Sequence, residues 1–567
     1  MADYNLLAPE TMDDLLFDAF DQSLGSETRE RLRTQFENYE YYDGKQHVDP
    51  KTGRLVKATE LERPAGLDYD PTRYATNYFK AIIDRKARWQ MGGKHGIQVP
   101  RKDVDSQEAR LAEGYTPSPE QKRVDNQADA YERLLYRLWD ENKMRSKLIQ
   151  AARDRLIADR VVCKIVFNQR TGKLRWIWRP DTEFIPVFSD DDFEDLIAAH
   201  FVRQKIVEAP DGEEIRAIQK QTFRIEEDGG CYLEEGVYRQ DDLELLEEIT
   251  PYSPMGIDFI PVVTFPVNDL LGEETGEGEI SDLREQNDVL NQMNEDAIDS
   301  MKFEMFSMTA VLNAPEGTAD KMEVAPGSVL EATGNYEGQS PDIKKVESSF
   351  RWKDAFKDQY ARVKGAMHEV SGLPQIVPQE LNFGGLNGEA LQVLFHDIIT
   401  DTEEHWHVWG YQLSELHEKS VRYLQARTAE NNFAYDKTEV SSITDYTNEM
   451  KFVLPLPDNR KELVELLGEE IGMGLESQAG GMQRAGVDNV QAKKAEIEQE
   501  RMQDRASGDP YGNQGGSPSK TSGSSSETTE QEKICPECGG SGTVYSDNQG
   551  REVTCNTCKG DGIVQTA

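Results

Sequence analysis

The chain has 567 residues, enough for more than one compact unit, with 105 Asp and Glu against 64 Lys and Arg, a formal net charge of −41 and a hydrophobic share of only 37%. Such acidity excludes a general nucleic-acid-binding surface, because phosphate affinity comes from clustered Lys and Arg. It leaves room for a protein that DNA slides past, and a well-solvated surface accounts for most of the charge.

No run of about eighteen apolar residues occurs, so no membrane span is expected. Met1–Asn5 lacks the basic and apolar regions of a secretion signal, and the chain is expected in the cytosol when made. In chain order, Arg31–Gln46 reads as an amphipathic helix with Tyr39, Tyr41 and Tyr42 turned inward and a stop at Gly44. Asn77–Trp89 reads as a second helix, ending near Gly92-Gly93. Gln127–Arg160 continues helical, with Tyr131, Leu134, Leu135, Leu138, Trp139, Leu148, Ala151 and Leu156 as its apolar positions.

The period then changes to two. Val161–Phe167, a turn at Thr171-Gly172 and Leu174–Trp178 predict a hairpin. Phe184–Phe188, Ala198–Ile206 and the segments around Thr222 and Tyr232 extend the sheet, and Cys163 reads as a small buried hydrophobe. Ser189-Asp190-Asp191-Asp192 lacks the Gly and the closing Glu of an EF-hand loop, so a solvated turn is expected there.

From Ile280 to about Met308 no Pro or Gly interrupts the chain, and Ser281 is placed to cap a helix roughly 40 Å long. Stepping by seven from Ile280 gives Asn287, Asn294, Met301 and Met308, with Leu283, Leu290 and Ala297 three residues on. This half-polar stripe is narrower than a monomer core needs. It suits a helix packed sideways against copies of itself, and an ordinary coiled-coil arm fits equally. Short strand-like pieces follow (Val311-Leu312, Ala325–Gly327, Ser328–Leu330, Ile343–Val346), then a second helix, Trp352–Val370, ended by Ser371-Gly372.

Two prolines keep Leu373–Pro378 extended. The following loop carries Gly384, Gly385 and Gly388 and reads as a mobile surface loop. Glu389–Ala429 is one long helical pattern broken only by Gly410, with Trp406, Trp409 and Leu413 on one face as packing groups. No two of its histidines, His396, His405, His407 and His417, are three or four apart, so packing or exposure is expected for them rather than metal ligation. Phe452–Asn459 reads as a closing strand, and Lys461–Met473 and Asp488–Asp504 as short helices. From Ser507 to Lys533 the composition is that of a flexible tether.

Taken together, these segments resemble a phage portal protein of the long-tailed phage type. Gly278–Leu283 resembles the family's Gly-x-Ser-Asp-Leu start of a long stem helix, with one residue more between the Gly and the Ser. Tyr41-Tyr42-Asp43-Gly44-Lys45-Gln46 resembles the Tyr-Tyr-x-Gly-x-Gln opening of the wing, and the Asn77 helix and the order helix, hairpin, Pro-Val strand, acidic turn are similar to that domain. Asn387-Gly388-Glu389-Ala390-Leu391 stands where the family has Ser-Gly-x-Ala-Leu, the Asn capping as Ser would. The resemblance makes the preceding loop the tunnel loop at the narrowest part of a channel, with Gln379, Glu380, Asn382, Phe383, Gly384, Gly385 and Asn387 as its channel residues.

The resemblance spans roughly residues 30–505 and implies an α+β, mainly helical chain with the portal fold. Its parts are a wing (1–278), a first stem helix (279–308), a clip (309–349), a second stem helix (350–372), the tunnel loop (373–388), a long wing helix and return strand (389–455) and a crown (456–505). It implies a homo-oligomer, a dodecamer of about twelve copies, at one capsid vertex of the virion, assembled in the host cytoplasm. Double-stranded DNA would pass through the ring. The terminase large subunit, a head–tail adaptor, and the major capsid and scaffolding proteins are the implied partners, with no membrane involved.

Beyond the tether (506–533), residues 534–564 carry the strongest local signal. Cys535-Pro-Glu-Cys538-Gly-Gly-Ser-Gly and Cys555-Asn-Thr-Cys558-Lys-Gly-Asp-Gly repeat Cys-x-x-Cys-x-Gly-x-Gly, with sixteen residues between the pairs. Two thiolate knuckles can complete a tetrahedron around a structural Zn²⁺, and the glycines let the backbone turn around the sulfurs. Disulfides are the alternative, disfavoured in a reducing compartment. The repeat resembles half of the zinc-binding region of DnaJ-type co-chaperones, although no His-Pro-Asp of a J-domain occurs. No Gly-x-x-x-x-Gly-Lys-Ser/Thr, Gly-x-Ser-x-Gly or His-Glu-x-x-His motif is present, and no enzyme is expected. The alternative to a portal is a zinc-dependent soluble adaptor or co-chaperone.

Overall fold

A computed structural model describes residues 26–48, 72–106, 110, 116–189, 192–208, 214–239, 244–267, 278–305, 309–313, 342–345, 352–375, 393–455, 460–487, 490, 493–494, 496–500 and four short strands between 532 and 565. The chain divides into two units, Met1–Glu496 and Ile497–Ala567.

The first unit begins with α1 (Ser26–Asp43) and α2 (Tyr78–Met91). Asn77 caps α2 as expected, its side-chain oxygen accepting from the Lys80 N–H at 3.1 Å. After β1 (His95–Gln98), Ser118 caps α3 (Pro119–Asn142), with Pro119 in the first turn where no N–H is needed. The expected single helix over 127–160 is two helices. Lys143 takes the left-handed conformation (φ 55°) and separates α3 from α4 (Met144–Ala158). The Asn142 side chain holds this corner by donating to the Leu138 carbonyl at 2.9 Å and accepting from the Trp176 N–H at 2.9 Å. The apolar periodicity runs on through the break, so Leu138, Trp139, Leu148 and Leu156 all reach one core.

Next come β2 (Arg160–Asn168) and β3 (Lys173–Pro180), the predicted hairpin, paired from Val161–Pro180 to Asn168–Lys173. Gly172 in its turn has φ +67°, and a Cβ there would lie 1.4 Å from the Asn432 carbonyl oxygen, so only glycine fits. A meander follows: β4 (Phe184–Ser189), β5 (Asp192–Glu208), β6 (Glu214–Ile225), β7 (Cys231–Arg239) and β8 (Leu245–Pro254) form one antiparallel five-stranded sheet. β9 (Val262–Pro266) returns to the free side of β2. Cys163 is buried on β2, and burial pushes its thiol well above the ordinary range, as suits a packing residue.

Two helices, α5 (Arg284–Met305) and α6 (Trp352–Val370), flank the antiparallel pair β10 (Thr309–Leu312) and β11 (Asp342–Lys345). The long helix α7 (His396–Ala426) crosses the hairpin sheet, and Trp409 packs on Phe265 and Trp178 at ring distances of 5.0 and 6.3 Å. α8 (Lys437–Ser442) is capped by Asp436, and β12 (Glu449–Phe452) pairs with β1, Ile97 opposite Met450. α9 (Arg460–Met473) and α10 (Gln478–Arg484) follow.

His417 is fully buried on α7. Trp139 Nε1–H donates to its Nε2 at 2.7 Å, so its Nδ1 carries the proton and donates to Asn448 Oδ1 at 2.7 Å. Burial pulls this imidazole down to about 4, against a smaller upward pull from Asn448, and it stays neutral.

In the second unit β13 (Glu532–Ile534) pairs with β16 (Ile563–Gln565), and β14 (Thr543–Ser546) with β15 (Arg551–Thr554). The architecture is α+β. The expected acidic turn at Asp190-Asp191, the channel residues 379–387, most of the insertion between α5 and α6, the tether from 507 to 531, and Cys535, Cys538, Cys555 and Cys558 lie outside the described residues.

Candidate functional site

The paired helices α5 and α6 are reached through a tight corner at a glycine. At Gly278 a Cβ would stand 2.1 Å from Asp159 Oδ1 and 3.1 Å from the Ile157 carbonyl oxygen, so a side chain here would require Asp159 to move aside. A 3₁₀ turn, Ser281–Leu283, follows, and the α-helix begins at Arg284. Ser281 therefore does not cap the helix as expected; its own N–H donates to the Gly278 carbonyl at 2.9 Å.

Arg284 ties the start of α5 to α1, donating to Asn38 Oδ1 at 3.1 Å, Glu37 Oε2 at 3.0 Å and the Thr34 carbonyl at 3.0 Å. Its guanidinium lies over the Tyr41 ring at 5.2 Å, and Tyr41 donates to Asp288 Oδ2 at 2.8 Å. His47 Nε2 meets the other oxygen of Asp288 at 3.1 Å. Burial and the hydrogen bond to Asp288 raise the Tyr41 phenol well above its ordinary range. Tyr42 turns the other way and donates to Asp84 on α2 at 2.9 Å, while the Asn77 amide donates to the Tyr42 carbonyl at 2.5 Å. Gly44 (φ +72°) ends α1 in the left-handed conformation, its N–H donating to the Tyr41 carbonyl. Two motifs read separately in the sequence, the Tyr-Tyr-Asp-Gly run and the Asn77 helix start, are thus one joint between α1, α2 and α5.

The half-polar stripe of α5 is present but differently phased. Ile280, Leu283, Asn287, Leu290 and Ala297, read in the sequence as a stripe for copies, are buried within the single chain, whereas Asn294 is half-buried and Met301 exposed. The buried polar line is Asn287, Asn291, Glu295 and Asp299, one residue every four. An extended segment, Thr72–Thr76, runs antiparallel along it. The Thr76 N–H donates to Asn291 Oδ1 at 2.8 Å, the Tyr74 N–H to Glu295 Oε1 at 3.1 Å, and the Thr72 N–H to Asp299 at 3.0 Å. The match is geometric: four helical residues rise about 6 Å and two extended residues about 6.6 Å, so each second N–H meets each fourth side chain. Much of the polarity that reads as a surface for copies is therefore satisfied within the chain. Neither amide atom of the buried Asn287 has a hydrogen-bond partner among the described residues. The spacing of four was legible in the sequence, but the segment that meets it was not.

On α6, Trp352, Phe356 and Tyr360 form a row of rings 5.9 and 5.7 Å apart, and the Tyr360 hydroxyl bonds that of Tyr78 on α2. Met367 is buried. The remaining surface of α6 is largely exposed.

Behind the start of α5, Glu279, Asp401 and His405 bring ligand atoms within 4.8 Å of one another, the type of cluster that can hold a metal. Here the cation is Lys86, whose ammonium bonds Glu279 and lies 3.4 Å from Asp401. Burial disfavours its charge, yet the two carboxylates hold it above the ordinary lysine range. Arg155 donates to His405 Nδ1 at 3.2 Å, and burial together with Arg155 and Lys86 keeps this imidazole neutral. With two cationic side chains against it the cluster is a structural ion network.

No curated protein matches the chain. A family model described as "Phage portal protein, SPP1 Gp6-like" matches residues 23–506, a span that contains the joint, both helices and the strand pair between them, and the chain belongs to that family.

Proposed function

We propose that copies of this chain close into a ring of about twelve at a capsid vertex, forming the channel through which double-stranded DNA is packaged and later ejected. The family is structural rather than enzymatic and places the chain at the capsid vertex in an oligomeric, DNA-associated assembly. The observation that supports the finer reading is the pair α5 and α6 flanking β10–β11, held at its base by Arg284, Asp288 and the Thr72–Thr76 segment. In this reading α5 and α6 are the stem, residues 309–349 the clip that receives the terminase large subunit and later a head–tail adaptor, and Gln379–Asn387 the tunnel loop. A net charge of −41 disfavours phosphate adhesion to the walls, so the duplex slides. Negative-stain images of the purified full-length chain are expected to show annular particles; single compact particles under all conditions would refute the ring.

In the C-terminal unit we infer a structural Zn²⁺ held by Cys535, Cys538, Cys555 and Cys558. The strand pairing supports it: Ile534 pairs with Ile563 and Thr543 with Thr554, so each eight-residue Cys-x-x-Cys-x-Gly-x-Gly run joins one ladder to the other. Zinc would cross-link the two runs and contribute folding energy to a unit with little else to bury. The adaptor reading gains nothing from residues 23–506, which the portal family accounts for.

A further inference from the structure

We propose that a row of residues on α5 of one copy, Glu285, Val289 and Asp296, packs against a row on α6 of the next copy, Lys353, Lys357 and Lys364. This contact deepens the ring reading and rests on it. Both rows have the spacing i, i+4, i+11, and eleven residues make just over three helical turns. Each row therefore lies within an arc of about 40° and extends roughly 16 Å along its helix. The acidic row contains no cation, and the basic row no anion. Glu285, Asp296, Lys353 and Lys357 are exposed, Val289 retains 41% of its surface, and Lys364 is half-buried above the Tyr78 ring.

Glu285, Lys353 and Lys357 form no ion pair among the described residues, although α5 carries an internal pair elsewhere, Lys302 with Asp299. α6 is covered on one side only: Met367 is buried and Trp352, Phe356, Tyr360 and Val363 are half-buried, whereas the side that carries Lys353 and Lys357 is exposed. A second copy would cover that exposed side. Its α5 offers two carboxylates at the same separation as the end lysines, with Val289 between them for the lysine stems to lie on. Ion pairs at the edge of a contact steer and set register more than they bind, so the row fixes which face of α6 meets α5.

The test compares the full-length wild type with Lys353→Glu/Lys357→Glu, with Glu285→Lys/Asp296→Lys, and with all four changes in one chain, by analytical ultracentrifugation. Each pair of changes alone makes both rows the same sign. The expected result is at least a tenfold rise in the concentration needed for assembly, with recovery in the four-change chain and in an equimolar mixture of the two reversals. Raising salt should weaken wild-type assembly, a measurement that needs no substitution. Reversals that assemble like the wild type, or wild-type assembly indifferent to salt, would overturn the contact alone, including the case in which the lysines face DNA instead. A wild type that never assembles would overturn the ring and the contact together.

Discussion

Around Trp409 the rings of Trp178 and Phe265 stand 4.9 to 6.3 Å apart; Trp176 Nε1–H donates to Ser420 Oγ at 2.8 Å, while the Nε1–H groups of Trp178 and Trp409 are buried with no acceptor among the described residues. Along α5 and α6 the contrast is plain. Four polar side chains occupy the buried line of α5, three of them are met by a single extended segment, and most of α6 faces outward. The first region is stabilised by its own apolar burial and needs no neighbour. The second borrows hydrogen bonds from residues over two hundred positions away and leaves a helix face for a partner. A single chain can thus hold a stable body and an assembly element whose full stability waits on other copies.

The sharpest way to break the contrast is to damage the body. Asp181 is fully buried between Arg160 Nε at 2.7 Å, Arg31 and the Gln35 amide at 2.7 Å, and these cations hold its carboxyl below the usual range against the cost of burial. Asp181→Ala leaves Arg160 buried without its partner and should cost about 3–5 kcal/mol in urea unfolding. A change below about 1 kcal/mol would show that this network does not hold α1 to the hairpin.

Acid should act on the same body. His417 titrates near 4 when folded but near 6.5 when unfolded, so the unfolded state binds the proton first. Its contribution is fully present above pH 6.5 and is lost as pH falls to about 4, roughly 3 kcal/mol in all. His200, lowered to about 3 by burial and then by Lys220 and Arg224, acts in the same direction. The wild-type stability should therefore fall more steeply over that window than that of His417→Gln; parallel curves would remove His417 as the cause.

A smaller, local effect is expected in the assembly element. Glu295→Ala takes the acceptor from the Tyr74 N–H and should reduce its hydrogen-exchange protection by about 1–3 kcal/mol while barely moving the global unfolding midpoint. Loss of protection throughout α3 and α4 would mean the segment is part of the body instead. Least of all, Cys535→Ser should abolish zinc bound by the purified chain and leave the melting of the first unit and its assembly unchanged. Zinc retained at the wild-type ratio would refute the ligand set.

What the sequence determined by itself is local. Period-two patterning placed β2 and β3, the Ser371-Gly372 stop placed the end of α6 at Val370, and the Asn side chain announced the start of α2 at Asn77. Each of these depends on groups a few residues apart. Only the tertiary structure decided the break at Lys143, where the apolar period passes through unchanged, and the start of α5 at Arg284 instead of a Ser281 cap. It alone showed that Glu279, Asp401 and His405 enclose Lys86, and that Thr72–Thr76 lies along α5. Those outcomes turn on which distant backbone or charge arrives at a side chain, and nothing in the local pattern encodes the far partner.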